Sequence, residues 1–193
     1  FFFVNPKKRA IIPITKAHVS RSLKRIILKR NFEITSNKNF SQVLLSCADP
    51  RFGRQDTWIN NSIKEAFNIL HVNGYAHSVE IYIKNSLVGG IYGISIGSVF
   101  FAESMFSAVS NASKIALIFL LAKLKASNFK LFDVQFLTPH LYAMGAIEIS
   151  KKKFLYLLNS NIRKENHFPS INSSKNEDWK ILLNYLHETN EMS

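Results

Sequence analysis

The sequence predicts an α/β fold (α+β), in which helices flank a mixed sheet. Segments with helical periodicity come first, and three strand-like segments follow one another between residues 77 and 103. A nearly apolar helical segment and one further strand come next. Consecutive strands with short connections form an antiparallel meander, and helices packed against it give an α/β sandwich. A chain of 193 residues is long enough for one such domain with extensions.

The N-terminal part of the chain predicts mainly helices. Residues 1–17 are predicted to be irregular because Pro6 and Pro13 interrupt regular structure. Apolar residues then recur at helical spacing, and the first helix carries basic residues on its other face. The predicted elements are a helix at 18–30, a strand at 32–36, and helices at 39–48 and 58–73. Gly74 is expected to end the last helix, because glycine readily adopts the left-handed conformation of a C-cap.

The rest of the chain predicts the sheet and the helices that follow it. The predicted elements are strands at 77–84, 87–95 and 98–103, a buried helix at about 111–127, a strand at 130–137, a short helix from Pro139 to Gly145, and helices at 151–158 and 179–186. Residues 159–178 are rich in Asn, Ser and Lys and are predicted to be mobile. This order of elements resembles the GNAT-type N-acetyltransferase fold, and a fold alone does not fix a function.

Composition excludes several classes of protein. No apolar run reaches the roughly 18 residues of a membrane-spanning helix. The single Cys47 excludes an internal disulfide framework and favours a reducing compartment, so we expect a cytoplasmic protein. The six histidines show no metal-ligand spacing, and the glycine patterns of dinucleotide-binding and P-loop proteins are absent.

The net charge of +12 is concentrated at the start of the chain. Nine Lys or Arg residues and no acid precede Glu33, whereas the remainder has 16 basic and 13 acidic residues, a balance of only +3. Such a one-sided cluster favours a polyanionic partner, although a solvated surface is the plain alternative. Because no aromatic residues stud a basic amphipathic face, nucleic acid is favoured over a membrane.

Glycines and polar residues in the strand segments indicate a pocket. Four of the seven glycines stand in strand-like sequence at 89–97, which indicates either bulges or the close approach of backbone or ligand. Glu103 lies among aromatic residues, and a partly buried carboxylate needs a cation, either an internal Lys or Arg or a cationic substrate. Asp133 and Gln135 are two apart and so share a strand face. They either satisfy backbone groups or act together, the carboxylate orienting an amide whose carbonyl accepts a proton from an amine.

The start of the buried helix offers a second polar group. Asn111 and Ser113 can cap the helix, and the same exposed N–H groups could hold a phosphate with the help of Lys114. His140 is interpreted as a residue on the surface of the short helix.

Eight short stretches, in order and at similar spacing over residues 10–158, resemble the bacterial leucyl/phenylalanyl-tRNA–protein transferase family. They are HVSRSLKR (18–25), DTWI (56–59), GYAHSVE (74–80), LVGGIYG (87–93), ESMFS (103–107), NASK (111–114), FDVQF (132–136) and MGAIEISKKKFL (144–155). The resemblance implies an acetyltransferase-like domain that uses no coenzyme A, no metal and no organic cofactor.

The same resemblance implies an activity and partners. A protein of this family moves Leu or Phe, with Met as a further candidate, from aminoacyl-tRNA to the α-amine of proteins that begin with Arg or Lys, which tags them for degradation. The partners implied are therefore aminoacyl-tRNA and acceptor proteins, with no membrane, and the protein is expected to act as a monomer. The alternatives are an N-acetyltransferase of the same fold and a non-catalytic tRNA-binding relative.

The resemblance also implies roles for individual residues. The implied catalytic residues are Asp133 and Gln135, with Glu103 near the basic acceptor residue. The implied donor-binding residues are Trp58, Ile91, Phe100, Met105, Ser107, Leu117, Leu120 and Phe132, of which Trp58 and Phe100 would pack on the terminal adenosine. The implied tRNA-binding residues are Arg21, Lys24, Arg25, Lys29 and Arg30.

The chain also departs from the family pattern. Leu120 stands where an aromatic residue is expected and Phe132 where a branched aliphatic is expected, an exchange of bulk that can keep the volume of the pocket. The stretch FVNPKKR (3–9) replaces the family's WWSPDPR, and an upstream glycine-rich segment is missing. We therefore interpret residues 1–10 as the remnant of a truncated N-terminal domain, 11–158 as the catalytic domain and 159–193 as a variable tail.

Overall fold

The computed structural model describes residues 6–50, 57–169 and 175–191. Its strands are β1 (Lys8–Ile11), β2 (Glu33–Ser36), β3 (Ala76–Ile83), β4 (Ser86–Ile96), β5 (Val99–Ser107), β6 (Leu131–Gln135) and β7 (Ile147–Ser150). They form one seven-stranded sheet in the order β2-β3-β4-β5-β6-β1-β7. Only β5 and β6 pair in parallel, and the other neighbours are antiparallel. The predicted mixed sheet is therefore confirmed.

Helices cover the sheet on both faces. They are α1 (Arg21–Leu28), α2 (Phe40–Ala48), α3 (Asn61–Val72), α4 (Ala112–Ala126), α5 (Pro139–Ala143), α6 (Lys151–Asn161) and α7 (Lys175–Glu191). The largest core cluster joins α4 to the sheet and to α1 and α7, a second joins α2 and α3 to β3 and β4, and a third joins α6 to β1 and β7. None of the helices in the described ranges has the length and apolar character to cross a membrane.

The predicted buried helix is α4, which runs through the middle of the molecule. Residues 115–122 within it are all buried. Its start packs directly on β4, because a Cβ atom at Gly89 would lie 2.5 Å from the Cβ atom of Ala112. At this position the glycine is required for the close approach of the helix, which is the backbone alternative left open by the sequence.

Two strands were missed by the sequence prediction. Residues 8–11 form β1, so the prediction of irregular structure for residues 1–17 was wrong there, and residues 1–5 lie outside the described residues. No strand was predicted at 147–150, where the structure has β7. Both strands have four residues, and β1 pairs with β6 and β7, which lie more than 120 residues along the chain. Local periodicity carries no information about pairing at that distance.

The prediction of a mobile segment at 159–178 was wrong for its described residues. Helix α6 continues to Asn161, and α7 begins at Lys175. Between them, Phe168 is buried and its ring stacks on His77 with 4.2 Å between ring centroids. In α7 the Tyr185 hydroxyl donates a hydrogen bond to the carbonyl of Ile14. Residues 170–174 and 192–193 of the tail lie outside the described residues.

Candidate active site

The candidate site is a cleft where the two parallel strands separate. Strands β5 and β6 pair from Val99–Leu131 to Phe101–Asp133, and no pairing follows beyond that point. The gap widens into a cleft of about 410 Å³ between β4, β5, β6, α4 and α5. Its apolar lining consists of Ile91, Ala102, Met105, Phe106, Leu117, Val134 and Leu141, and polar groups of its lining include Glu103, Ser107, Ser113, Thr138 and His140.

The side chain of Gln135 spans the gap between the two strands. Its amide nitrogen Nε2 donates to the carbonyl of Ala102 at 3.2 Å and to Glu103 Oε2 at 3.1 Å. The backbone of Gln135 is left-handed, with φ of 66°, a conformation that non-glycine residues adopt rarely. Its backbone N–H donates to Asp133 Oδ1 at 3.0 Å, and this bond helps to hold the unusual conformation.

Arg9 holds the Asp133 carboxylate, a contact that could not be predicted from the sequence. Its Nε lies 3.0 and 3.1 Å from the two carboxylate oxygens, and its Nη2 lies 2.7 Å from Oδ2. Asp133 is fully buried, so the bidentate guanidinium supplies the compensating charge. The Asp133 carboxylate accepts a hydrogen bond from the backbone N–H of Gln135, which is the backbone role left open by the sequence, and the side-chain amide of Gln135 donates to Glu103.

Glu103 is the acidic group that lines the cleft. Burial raises the pKa of its carboxyl, the hydrogen bond from Gln135 lowers it, and the charge of Asp133 raises it further. No ion pair within 4 Å joins Glu103 to a Lys or Arg among the residues that the structure describes. The charge of Arg9 lowers the pKa of Glu103 to a smaller extent, so an internal Arg acts on this carboxylate without forming a direct ion pair with it.

Half of the predicted donor-binding residues line the cleft. These four are Ile91, Met105, Ser107 and Leu117. Phe100, Leu120 and Phe132 are instead almost completely buried, in the core cluster to which Leu117 also belongs. The rings of Phe100 and Phe132 stack with 5.9 Å between their centroids, and neither residue belongs to the cleft lining.

The two aromatics predicted to pack on an adenosine lie apart from the cleft lining. Trp58 is 47% exposed and meets Phe67 edge-on at 6.4 Å between ring centroids. Phe100 is covered by Phe168 from the tail, with 5.8 Å between their centroids. Asp56 of the DTWI stretch lies outside the described residues.

Ser107 positions the start of α4 at the mouth of the cleft. Its hydroxyl accepts a hydrogen bond from the backbone N–H of Ser113 at 3.1 Å and donates to the carbonyl of Val109 at 2.8 Å. Asn111 occupies the N-cap position with a left-handed backbone, and its side chain makes no capping bond. The hydroxyl that caps this helix therefore comes from the end of β5.

His140 was interpreted as a helix-surface residue, but its ring lines the cleft. Its Nε2 atom is buried and has no hydrogen-bond partner within the described part of the chain. Burial lowers the pKa of the imidazole, and the charge of Lys114 lowers it further. The sequence offered one weak signal for it, a Thr-Pro helix start directly after β6.

The basic residues of α1 and of the two positions after it, Lys29 and Arg30, divide into two groups. Arg21, Arg25 and Lys29 are exposed, and the first turn of α1 contains no acidic residue. Lys24 Nζ donates to the carbonyl of Leu186 in α7 at 3.4 Å. The Arg30 guanidinium lies 4.7 Å from the centre of the Trp179 ring.

A mixed sheet with a cleft between two diverging strands defines an acyltransferase-like fold, and the predicted fold class is confirmed. The crystal structure of FemX is similar to this chain, with a TM-score of 0.52 and 12% identity, over 81% of this chain and 64% of FemX. A family model described as leucyl/phenylalanyl-tRNA protein transferase matches residues 11–159. The chain therefore belongs to the leucyl/phenylalanyl-tRNA–protein transferase family.

Two bacterial relatives named leucyl/phenylalanyl-tRNA–protein transferase share close to half of the aligned residues. The protein of Zymomonas mobilis is 50% identical over 161 residues, which are 83% of this chain and 60% of the relative. That of Rhizorhabdus wittichii is 46% identical over 157 residues, which are 81% of this chain and 63% of the relative. The chain thus matches less than two thirds of the length of these curated relatives.

Proposed function

We propose that this protein transfers Leu or Phe from aminoacyl-tRNA to the α-amine of proteins that begin with Arg or Lys. Family membership over residues 11–159 carries this proposal. The cleft supports it: its lining is largely apolar and includes Glu103, whose carboxylate accepts a hydrogen bond from the amide of Gln135, although Asp133 and Gln135 themselves are not lining residues. The reaction belongs in the cytoplasm, which agrees with a single cysteine in 193 residues, and its product is a protein tagged for degradation.

The donor side chain fits the apolar part of the cleft. Ile91, Met105 and Leu117 surround a volume that accepts a Leu or Phe side chain, and Met is a further candidate. Discrimination among these side chains is modest, because one methylene in an apolar pocket is worth about 1–3 kcal/mol. The exposed cations of α1 bind the phosphates of the acceptor arm.

The chemistry is the aminolysis of an ester. The acceptor nitrogen bonds to the ester carbonyl carbon, the bond from that carbon to the ribose oxygen breaks, and the proton lost by the amine balances the proton gained by the ribose oxygen. Since the ester is already activated, the enzyme chiefly aligns amine and carbonyl. The Gln135 carbonyl oxygen accepts a hydrogen bond from the amine, because Ala102 and Glu103 hold its nitrogen end.

The acceptor is recognised by charge. Glu103 lines the cleft without an ion-pair partner among the described residues, so it is free to pair with the side chain of an N-terminal Arg or Lys.

The proposed transfer can be assayed directly. Purified protein is incubated with Leu-tRNA that carries a labelled leucine and with a peptide that begins with Arg. The matched control is the same peptide with an acetylated α-amine, which keeps the basic side chain and removes the nucleophile.

We expect label in the free peptide and none in the acetylated one. Binding of tRNA without any labelled peptide would mean a non-catalytic tRNA-binding relative. Transfer of an acetyl group from acetyl-coenzyme A to the peptide, or to a small-molecule amine, would instead identify the protein as an N-acetyltransferase.

A further inference from the structure

A second basic surface lies where β1 begins and β7 ends. It consists of Lys7, Lys8, Lys151, Lys152 and Lys153, all exposed, and is called the lysine cluster below. The two segments are joined, since the backbone N–H of Lys151 donates to the carbonyl of Lys7 at 3.0 Å and Lys8 pairs with Ser150 in the sheet. Residues 144 positions apart in sequence thus form one surface.

The lysine cluster is poorly compensated inside the molecule. Lys8 pairs with Glu148 at 3.2 Å, an exposed pair that contributes little. No other ion pair of the described residues involves the cluster, and the first turn of α6 has no acidic residue. Lysines at a helix N-terminus oppose the helix dipole, by about 0.3–1 kcal/mol each. Three consecutive lysines here therefore weaken α6, so stability does not account for them.

The lysine cluster and the C-terminal end of α1 lie at different edges of the sheet, whereas the start of α1 follows His18, whose backbone N–H donates to the carbonyl of Met144 shortly before β7. In the sheet Ala10 faces Gln135, so Lys8 lies two residues beyond Gln135, at the edge where the cleft opens. Lys29, directly after α1, lies beside Ile81 and Ile83 of β3, on the other side of the cleft from β7. Five strand intervals separate β3 from β7, a distance on the order of 24 Å at about 4.8 Å each.

We propose that the lysine cluster binds backbone phosphates of the same RNA whose acceptor arm contacts α1, so that the RNA is held on both sides of the cleft. This inference rests on the proposed function, because it takes aminoacyl-tRNA as the ligand. An RNA supplies a row of phosphates that can reach two surfaces this far apart. A protein with a basic N-terminus would be repelled by the same lysines.

The test measures tRNA binding without acceptor or chemistry. The variant Lys152→Gln/Lys153→Gln is compared with Lys130→Gln/Arg163→Gln, which removes two exposed charges elsewhere in the fold, next to the start of β6 and just after α6. Leucine-accepting tRNA that carries no amino acid is titrated with the protein at several salt concentrations. Each lost phosphate contact reduces the magnitude of the negative slope of log K against log salt by about 0.9 and weakens binding roughly eightfold at 0.1 M salt.

In the lysine-cluster variant, we expect the magnitude of the salt slope to fall by the amount that corresponds to one or two phosphate contacts. The control variant should keep the slope of the native protein. Removing cations from the start of α6 should leave the thermal midpoint of the variant equal to that of the native protein or higher. Weaker tRNA binding with unreduced stability therefore indicates a lost contact and not a folding defect. Combining the cluster variant with Arg21→Gln/Arg25→Gln should add the two slope changes, as expected when both surfaces touch one RNA.

An unchanged slope in the cluster variant, or one equal to that of the control, would overturn the inference. So would a raised KM for the acceptor peptide with unaltered tRNA binding, because the surface would then contact protein. Both outcomes leave the proposed function intact where the native protein transfers label. A native protein that binds tRNA through both surfaces and transfers no label would instead contradict the proposed function alone.

Discussion

At the scale of single residues, the site depends on a contact between positions 124 apart in the sequence. The Arg9 guanidinium binds both oxygens of the buried Asp133, and Asp133 in turn binds the backbone N–H of Gln135. The ring of Phe154 lies 5.4 Å from the guanidinium carbon. Arg9 is not among the residues that line the cleft, so we propose that it acts as a positioning residue through Asp133 and Gln135.

Arg9→Gln should lower kcat by on the order of 100-fold with little change in the KM for aminoacyl-tRNA, because a small misplacement of an aligning group is enough for such a loss. Single-turnover transfer to an Arg peptide measures this. Since an unpaired Asp133 could also unfold the protein, Arg9→Gln/Asp133→Asn removes the buried charge and provides a second measurement.

A double-mutant cycle separates positioning from general stability. When Gln135→Ala is already present, adding Arg9→Gln should lower kcat no further. Lys130→Gln, at an exposed position outside both proposed RNA-binding surfaces, is the control and should leave kcat unchanged. Equal, additive losses in both backgrounds would remove the connection between Arg9 and Gln135.

Glu103→Gln tests acceptor recognition at the same scale. The amide keeps the shape of the side chain but cannot pair with a cation, so the KM for an Arg peptide should rise roughly 10- to 100-fold, as expected for a hydrogen bond to a charged group. The KM for aminoacyl-tRNA should stay within twofold. Parallel titrations of the two substrates check this, and an unaltered acceptor KM would remove Glu103 from recognition.

At the scale of elements, the segment between α6 and α7 is fastened to β3. The ring of Phe168 stacks on His77, whose Nδ1 lies 3.0 Å from the side-chain nitrogen of Asn37. The Nε2 atom of His77 is buried, with no partner among the described residues. Burial lowers the pKa of His77 to about 4. A hydrogen bond with the backbone of Gly74 partly offsets this effect, and the charge of His71 lowers the pKa further.

This pKa predicts acid sensitivity of the fold. The folded state binds the proton on His77 less tightly than the unfolded state does, so the contribution to stability is complete above pH 6.5 and is lost as the pH falls towards 4. The difference from 6.5 to about 4 corresponds to about 3 kcal/mol of unfolding free energy. Urea unfolding at pH 7.5, 6 and 4.5 measures the loss.

His77→Gln should flatten this pH dependence, even if it lowers stability at pH 7.5. His167→Gln is the control, because His167 is exposed and should leave the native profile unchanged. If His77→Gln retained the full native loss between pH 6.5 and 4.5, the acid sensitivity would have another origin.

At the scale of the whole molecule, charge is arranged around the cleft. In and directly after α1, Lys24 and Arg30 contact α7, whereas Arg21, Arg25 and Lys29 are exposed, with no such contact among the described residues. Helix α7, through Trp179 and Leu186, thus helps to fix the orientation of the basic helix. This packing lies in the tail beyond the segment matched by the family model.

Arg21→Gln/Arg25→Gln should reduce the magnitude of the slope of log K against log salt for tRNA binding by nearly 2, since each phosphate contact contributes about 0.9. Fluorescence anisotropy with labelled tRNA from 0.05 to 0.3 M salt checks this. The control Lys130→Gln/Arg163→Gln changes the net charge equally, so a similar slope for both variants would show a general charge effect in place of a contact.

Much of the fold could be predicted from local patterns. The alternation of residues 77–84 gave β3, and the nearly unbroken apolar run of residues 115–122 gave α4, because side-chain periodicity reports which faces of an element are buried. Polar residues of the site were also found this way, since Glu103, Asp133 and Gln135 interrupt otherwise apolar strands. Their separate contacts could not be found, because spacing gives a shared face and not a partner.

The sequence by itself determined the class of fold, the family and the concentration of positive charge at the start of the chain. Only the tertiary structure decided that β1 completes the sheet beside β6, that Arg9 binds Asp133 and that His140 lines the cleft. It also decided that Phe168 is buried and that Lys7 adjoins Lys151. The reason is physical: periodicity and composition are properties of neighbouring residues, whereas these contacts join segments that come together only when the whole core forms.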